Sequence, residues 1–87
     1  YNVHPREVEE ALESHPAVRE AAVIGRPSER WGEQVMAFVV CGRQLAAAQL
    51  RDHAAGRLAP YKVPKEIEFV AELPRNTLGK LLRNQLS

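Results

Sequence analysis

Residues 34–41 constrain this chain more than any other segment. Val35, Ala37, Val39 and Cys41 fall on one face of an extended strand, and Met36, Phe38 and Val40 fall on the other. A strand that is apolar on both faces is a central strand covered on both sides. The chain has 87 residues, below the roughly 100–150 of a usual domain, so the layers on either side belong to one small core. An apolar share of 45% suits such a core and argues against disorder.

The neighbouring segments supply the layers. Residues 5–15 predict a helix. Pro5 suits the first helical position, Glu7, Glu9 and Glu10 favour the positive end of the helix dipole, and Val8, Ala11, Leu12 and His15 share one face. Pro16 ends it. Glu9 and Glu10 read as a solvated helix face. Residues 18–25 predict a strand, and residues 26–32 a polar loop with Pro27 and Gly32 near its ends. The two strands should pair antiparallel across that loop. Residues 44–59 predict a second helix with Ala47, Leu50, Ala54 and Leu58 on one face, weakened by Gly56 and ended by Pro60. Residues 66–71 alternate, with Ile67, Phe69 and Ala71 inward and Glu66 and Glu68 outward. Residues 80–86 predict a short final helix, with Leu82 and Leu86 at i, i+4. The expected fold is α+β: a small, mostly antiparallel three-stranded sheet with helices packed on it, in the order α-β-β-α-β-α.

Charge and cysteine content exclude several classes. Twelve Lys and Arg against eleven Asp and Glu leave a formal charge of +1, which is no nucleic-acid footprint. One cysteine, Cys41, excludes an internal disulfide framework. At a strand end it reads as an inert small hydrophobe. No apolar run approaches the roughly 18 residues of a membrane span, so a cytoplasmic domain is the default. His4, His15 and His53 lack metal-ligand spacing, and His53 stands apart. The chain starts at Tyr1 and enters a helical pattern within a few residues, so a fragment of a longer protein is expected.

Three places can carry chemistry. In Pro74-Arg75-Asn76-Thr77-Leu78-Gly79-Lys80, Gly79 permits a backbone shape that other residues resist. Lys80 follows it as a compact cation able to bridge phosphate and carboxylate oxygens. The residues alone favour a surface turn with a solvated lysine. The loop is no Walker A motif, which needs a further glycine and a hydroxyl after the lysine. Trp31, the sole tryptophan, can pack on the core edge or offer its face to a nucleotide ring. Tyr61 and Lys62, between Pro60 and Pro64, suit either a phosphate-bearing ligand or a tight connection with a snorkelling lysine.

The segments taken in order resemble the C-terminal domain of the ANL adenylate-forming superfamily: acyl- and aryl-CoA synthetases, peptide-synthetase adenylation domains and luciferases. The resemblance runs through Tyr1-Asn2-Val3-His4-Pro5-Arg6-Glu7-Val8-Glu9, His15-Pro16-Ala17-Val18, Trp31-Gly32-Glu33, Leu58-Ala59-Pro60-Tyr61-Lys62-Val63-Pro64, and Pro74 to Gly79-Lys80 with Arg83 following. It implies residues 1–87 as the C-terminal lid of an AMP-forming acyl- or aryl-CoA ligase, with the large N-terminal domain and hinge outside this sequence. ATP, CoA and Mg2+ would serve the full-length enzyme, and the isolated domain would be inactive.

By that resemblance Lys80 is the adenylation lysine and Gly79 shapes its loop. Trp31, Tyr61 and Lys62 lie near the CoA nucleotide after the domain rotates. Val63 stands where some relatives carry Arg, with Lys62 and Lys65 as nearby cations. Leu78 stands where small residues are common. Acetylation of Lys80 would remove its charge. Two other readings predict different partners: a lid that serves a carrier-protein-loading adenylation domain, and a non-catalytic binding module.

Overall fold

A computed structural model describes residues 3–28 and 32–86. Helix α1 spans Pro5–Glu13, strand β1 Val18–Ser28, strand β2 Gly32–Cys41, helix α2 Ala47–Ala55 and strand β3 Glu66–Phe69. Single 3-10 turns occupy Pro60–Lys62 and Arg83–Gln85. The strand order is β1-β2-β3, so β2 is central as its two apolar faces require.

β1 and β2 pair antiparallel from Val18↔Cys41 to Ser28↔Gly32. Both strands therefore run further than the expected polar loop: Arg26, Pro27 and Ser28 pair with Gln34, Glu33 and Gly32. Pro27 is tolerated because it lies in phase with Val23, whose N–H faces the free edge of β1. The shorter ladder, Met36↔Glu66 to Val39↔Phe69, is parallel. The sheet is mixed because α2 carries the chain back across it, as a crossover must.

Val35, Ala37 and Val39 pack with Val8, Leu12, Leu50 and Ala54, so α1 and α2 form one layer. Met36, Phe38 and Val40 pack instead with Ala22 and Leu73, against which Val70, Leu81 and Leu86 rest. This second layer contains no α-helix among the described residues. The helix expected at 80–86 is replaced by a strap. Leu81 bridges Arg75 in extended form, and only Arg83–Gln85 turns. Seven residues make a marginal helix, and here Leu81 and Leu86 face the sheet at a spacing no helix face provides.

The helices are also shorter than the pattern suggests. α1 stops at Glu13, where the Ser14 hydroxyl donates to the Ala11 carbonyl at 2.6 Å. α2 begins with the Gln49 side chain accepting from the Ala46 N–H at 3.0 Å and ends at Gly56. β3 ends before Ala71, which is exposed. Ile67 faces the helix layer, but Phe69 is 40% exposed rather than inward. It lines an open cavity of about 330 Å³ with Cys41 and Leu45, which precede α2. No helix among the described residues is long and apolar enough to cross a membrane.

Candidate functional site

The loop before Lys80 is a braced ring. Leu82 N–H donates to the Pro74 carbonyl at 2.9 Å, and Asn76 N–H to the Lys80 carbonyl at 3.0 Å. Inside the ring, the Asn76 side-chain oxygen accepts from both Leu78 and Lys80 N–H at 2.9 Å. Gly79 N–H donates to the Asn76 carbonyl at 2.9 Å. Such an Asn turn satisfies backbone donors that a surface loop otherwise leaves to water. Gly79 takes φ +83°, in the left-handed region that disfavours side chains. Arg75 donates to the Gly79 carbonyl at 2.9 Å and pairs with Glu20 on β1. Lys80 emerges exposed from this ring. Among the described residues no carboxylate pairs with its ammonium group.

The next residue beyond the ring to reach β1 is Arg83. It donates to the Val23 carbonyl at 2.9 Å and to both oxygens of Glu9. Glu9 also accepts from Val23 N–H at 2.9 Å and from Arg6 at 3.3 Å. Its side chain is 2% exposed. The expectation of a solvated Glu9 is thus wrong, while Glu10 is indeed exposed. Burial raises the Glu9 pKa, but the Arg83 hydrogen bond, the Val23 N–H and Arg6 outweigh it, and the net shift is downward.

A spacing match explains the arrangement. Glu9 and Glu13 are about 6 Å apart along α1, and Val23 and Ala21 are about 6.7 Å apart along β1. Glu13 accepts from Ala21 N–H at 3.2 Å as Glu9 does from Val23. Two helix carboxylates therefore cap the open edge of β1, which an unprotected edge strand would expose.

Tyr61 and Lys62 lie in the helix layer, not beside Lys80. Tyr61 is 44% exposed. The Lys62 ammonium sits 5.7 Å from its ring centroid and donates to Glu7 on α1 at 2.8 Å. That hydrogen bond raises the Lys62 pKa. Next to them is an open cavity of about 530 Å³, with Leu58, Pro60 and Val63 as apolar wall and Arg51 and Lys65 as cations. Trp31 lies outside the described residues.

The histidines depart from expectation. The structure brings His53 to His15, edge to face at 4.9 Å, and to the Ser14 hydroxyl at 2.7 Å. Among the described residues no group of three His, Cys, Asp or Glu converges on one point. Cys41 is half-buried, and burial raises its thiol pKa, which keeps it a weak nucleophile.

Sequence reasoning placed Gly79 and Lys80 in one loop, as the structure does. It missed Asn76, whose signal was an Asn two and four residues before the donors it accepts. It also missed Glu9 with Arg83, 74 residues apart in the chain.

Fold and loop together define a small α+β domain that presents one lysine from a braced turn. Residues 7–80 match the AMP-binding enzyme C-terminal domain family. A long-chain-fatty-acid–CoA ligase of Bacillus subtilis is 51% identical over 99% of this chain and 16% of its own length. A fatty acid–[acyl-carrier-protein] ligase of Streptomyces coeruleorubidus is 48% identical over 98% of this chain and 17% of its own. Among solved structures, o-succinylbenzoate CoA synthetase from Bacillus subtilis, in complex with the acyl-adenylate intermediate OSB-AMP, superposes with a TM-score of 0.94. It is 45% identical and covers 99% of this chain and 18% of that one. The chain thus spans about a sixth of the length of these relatives. It belongs to the AMP-binding enzyme C-terminal domain family of the ANL adenylate-forming superfamily.

Proposed function

We propose that residues 1–87 are the C-terminal lid of an ATP-dependent acyl- or aryl-CoA ligase, working against a large N-terminal domain of the same enzyme. The observation that carries this reading is Lys80: an exposed ammonium without a carboxylate partner among the described residues, held on a ring that fixes its backbone. The relatives' length supports the large domain, since this chain matches only 16–18% of them.

In the first step a carboxylate oxygen attacks the α-phosphorus of ATP. The bond from that phosphorus to the bridging oxygen breaks, and pyrophosphate leaves with the electron pair. Negative charge grows on the phosphoryl oxygens as the acyl-AMP forms. Lys80 bridges carboxylate and phosphoryl oxygens and stabilises that charge in a site closed to water. Gly79 gives the ring the left-handed turn that delivers the lysine. Mg2+ would screen the ATP phosphates on ligands from the large domain.

In the second step the thiol of CoA attacks the acyl carbon and AMP departs. The lid rotates between steps, so that Lys80 withdraws and the helix-layer face approaches the CoA nucleotide. Tyr61 offers a half-exposed ring for stacking, with Trp31 as its proposed partner. Lys62, Lys65 and Arg51 supply cations beside it for phosphate. ATP and CoA as substrates suit a cytoplasmic enzyme. The 48% identity to an acyl-carrier-protein ligase favours one second reading, in which the acceptor thiol is a carrier protein's.

The test is Lys80→Ala in the full-length enzyme, with the two half-reactions assayed apart. Pyrophosphate release from acid and ATP should fall about 10²- to 10³-fold. Thioester formation from presynthesised acyl-AMP and CoA should persist. If pyrophosphate release is unchanged, Lys80 is a surface lysine and the reading fails.

A further inference from the structure

The Lys80 ring closes at Leu82, through its bond to Pro74. As a closed unit it can pivot on its stem unless something holds it. Two arginines do, Arg75 from within the ring and Arg83 from just past its close, and both reach β1. Arg75 pairs with Glu20, but this pair is open to solvent, with side chains 42% and 35% exposed. Such pairs contribute little. Arg83 takes the Val23 carbonyl and both oxygens of Glu9, whose side chain is 2% exposed and held in turn by Val23 N–H and Arg6. The two anchor points on β1, at residues 20 and 23, are about 10 Å apart. One anchor leaves a hinge, whereas two fix an orientation.

We propose that Arg83, gripped by buried Glu9 and the Val23 carbonyl, is a positioning residue that sets where the Lys80 ammonium arrives. The inference rests on the reading of Lys80 as the adenylation cation. Arg83 touches no reacting atom in this account. It works through the ring, by coupling the strap on one face of the sheet to helix α1 on the other. Misplacing a catalytic group by about 1 Å costs up to about 10²-fold in rate, so a loosened ring should impair adenylation without unfolding the domain.

The experiment uses the full-length enzyme with Arg83→Ala, Arg83→Lys, Glu9→Gln, Lys80→Ala and the double variant Arg83→Ala/Lys80→Ala. Thermal melts and both half-reactions are recorded for each. Adenylation kcat should fall about 10- to 100-fold in Arg83→Ala, with the KM for ATP nearly constant and thioester formation from presynthesised acyl-AMP kept. A positioning residue acts only through the group it positions, so the double variant should be no slower than Lys80→Ala alone. If Arg83→Ala does not fold, Arg83→Lys and Glu9→Gln carry the same comparison against Lys80→Ala.

The proposal is overturned if Arg83 and Glu9 variants adenylate normally while Lys80→Ala does not. It is equally overturned if both half-reactions fall together with the melting temperature, or if the losses multiply in the double variant. Normal adenylation by Lys80→Ala instead removes the functional reading itself, a result separate from any of these.

Discussion

The two faces of the sheet are covered by different physics. On one, α1 and α2 bury Val8, Leu12, Leu50 and Ala54 against Val35, Ala37 and Val39. On the other, an extended strap lays Leu73, Leu81 and Leu86 over Met36, Phe38 and Val40. Helices satisfy their own backbone and need only an apolar stripe to dock. A strap has no internal ladder, so side chains must fix it: Asn76 within the ring, Arg75 to Glu20, Arg83 to Glu9. The face held by polar ties carries the exposed lysine. Chemistry-bearing segments are commonly drawn from the less tightly packed part of a fold.

Truncating one leucine on each face should break this comparison if it is wrong. Leu50 is fully buried on α2, and Leu50→Ala should cost about 2–5 kcal/mol in urea titrations. Leu81 is only half-buried on the strap, and Leu81→Ala should cost about 1 kcal/mol. Equal losses would mean that the strap is packed as firmly as the helices.

The same contrast explains what was legible in the sequence. Val35 to Val40 announced a two-faced central strand through alternation alone, and Val8, Ala11 and Leu12 announced the buried face of α1. Lys80 and Gly79 were visible as a loop before any contact was known. Periodicity could not show the strap, because Leu81 and Leu86 follow no regular period. Nor could it show the parallel pairing of β3, which depends on where α2 delivers the chain. Glu9 looked solvated because it is charged and stands next to Glu10. What buries it is Val23, 14 residues on, and Arg83, 74 residues on.

Acid should release the strap first through Glu9. Its carboxyl has a pKa near 4.3 in an unfolded chain and a lower one in the fold. Between those values the unfolded chain holds a proton that the folded one lacks, so stability rises with pH there. The contribution is complete above about pH 4.3 and is lost as pH falls through the folded value. Glu9→Gln should cost about 1.5–3 kcal/mol at neutral pH, near the low end because Arg83 remains 41% exposed. It should also flatten the acid limb of a stability–pH curve. An acid limb as steep as the parent's would place the titrating group elsewhere.

The helix face should respond in a different window and less strongly. His53 lies on α2 against His15 and the Ser14 hydroxyl. Burial, then the positive charge of Arg57 and the neighbouring His15, lower its pKa. The unfolded imidazole takes its proton near pH 6.5, before the folded one does. Stability is therefore full above that pH and declines as pH falls below it, through the folded value. The decline should be shallow, since His53 keeps contact with solvent. His53→Gln should remove the decline that starts at about pH 6.5 while leaving intact the Glu9 transition that starts at about pH 4.3. Two separable steps would show that the helix layer and the strap are tied by independent groups. A single merged step would mean that protonating the α1–α2 junction already loosens Glu9, and that the two faces are coupled through α1.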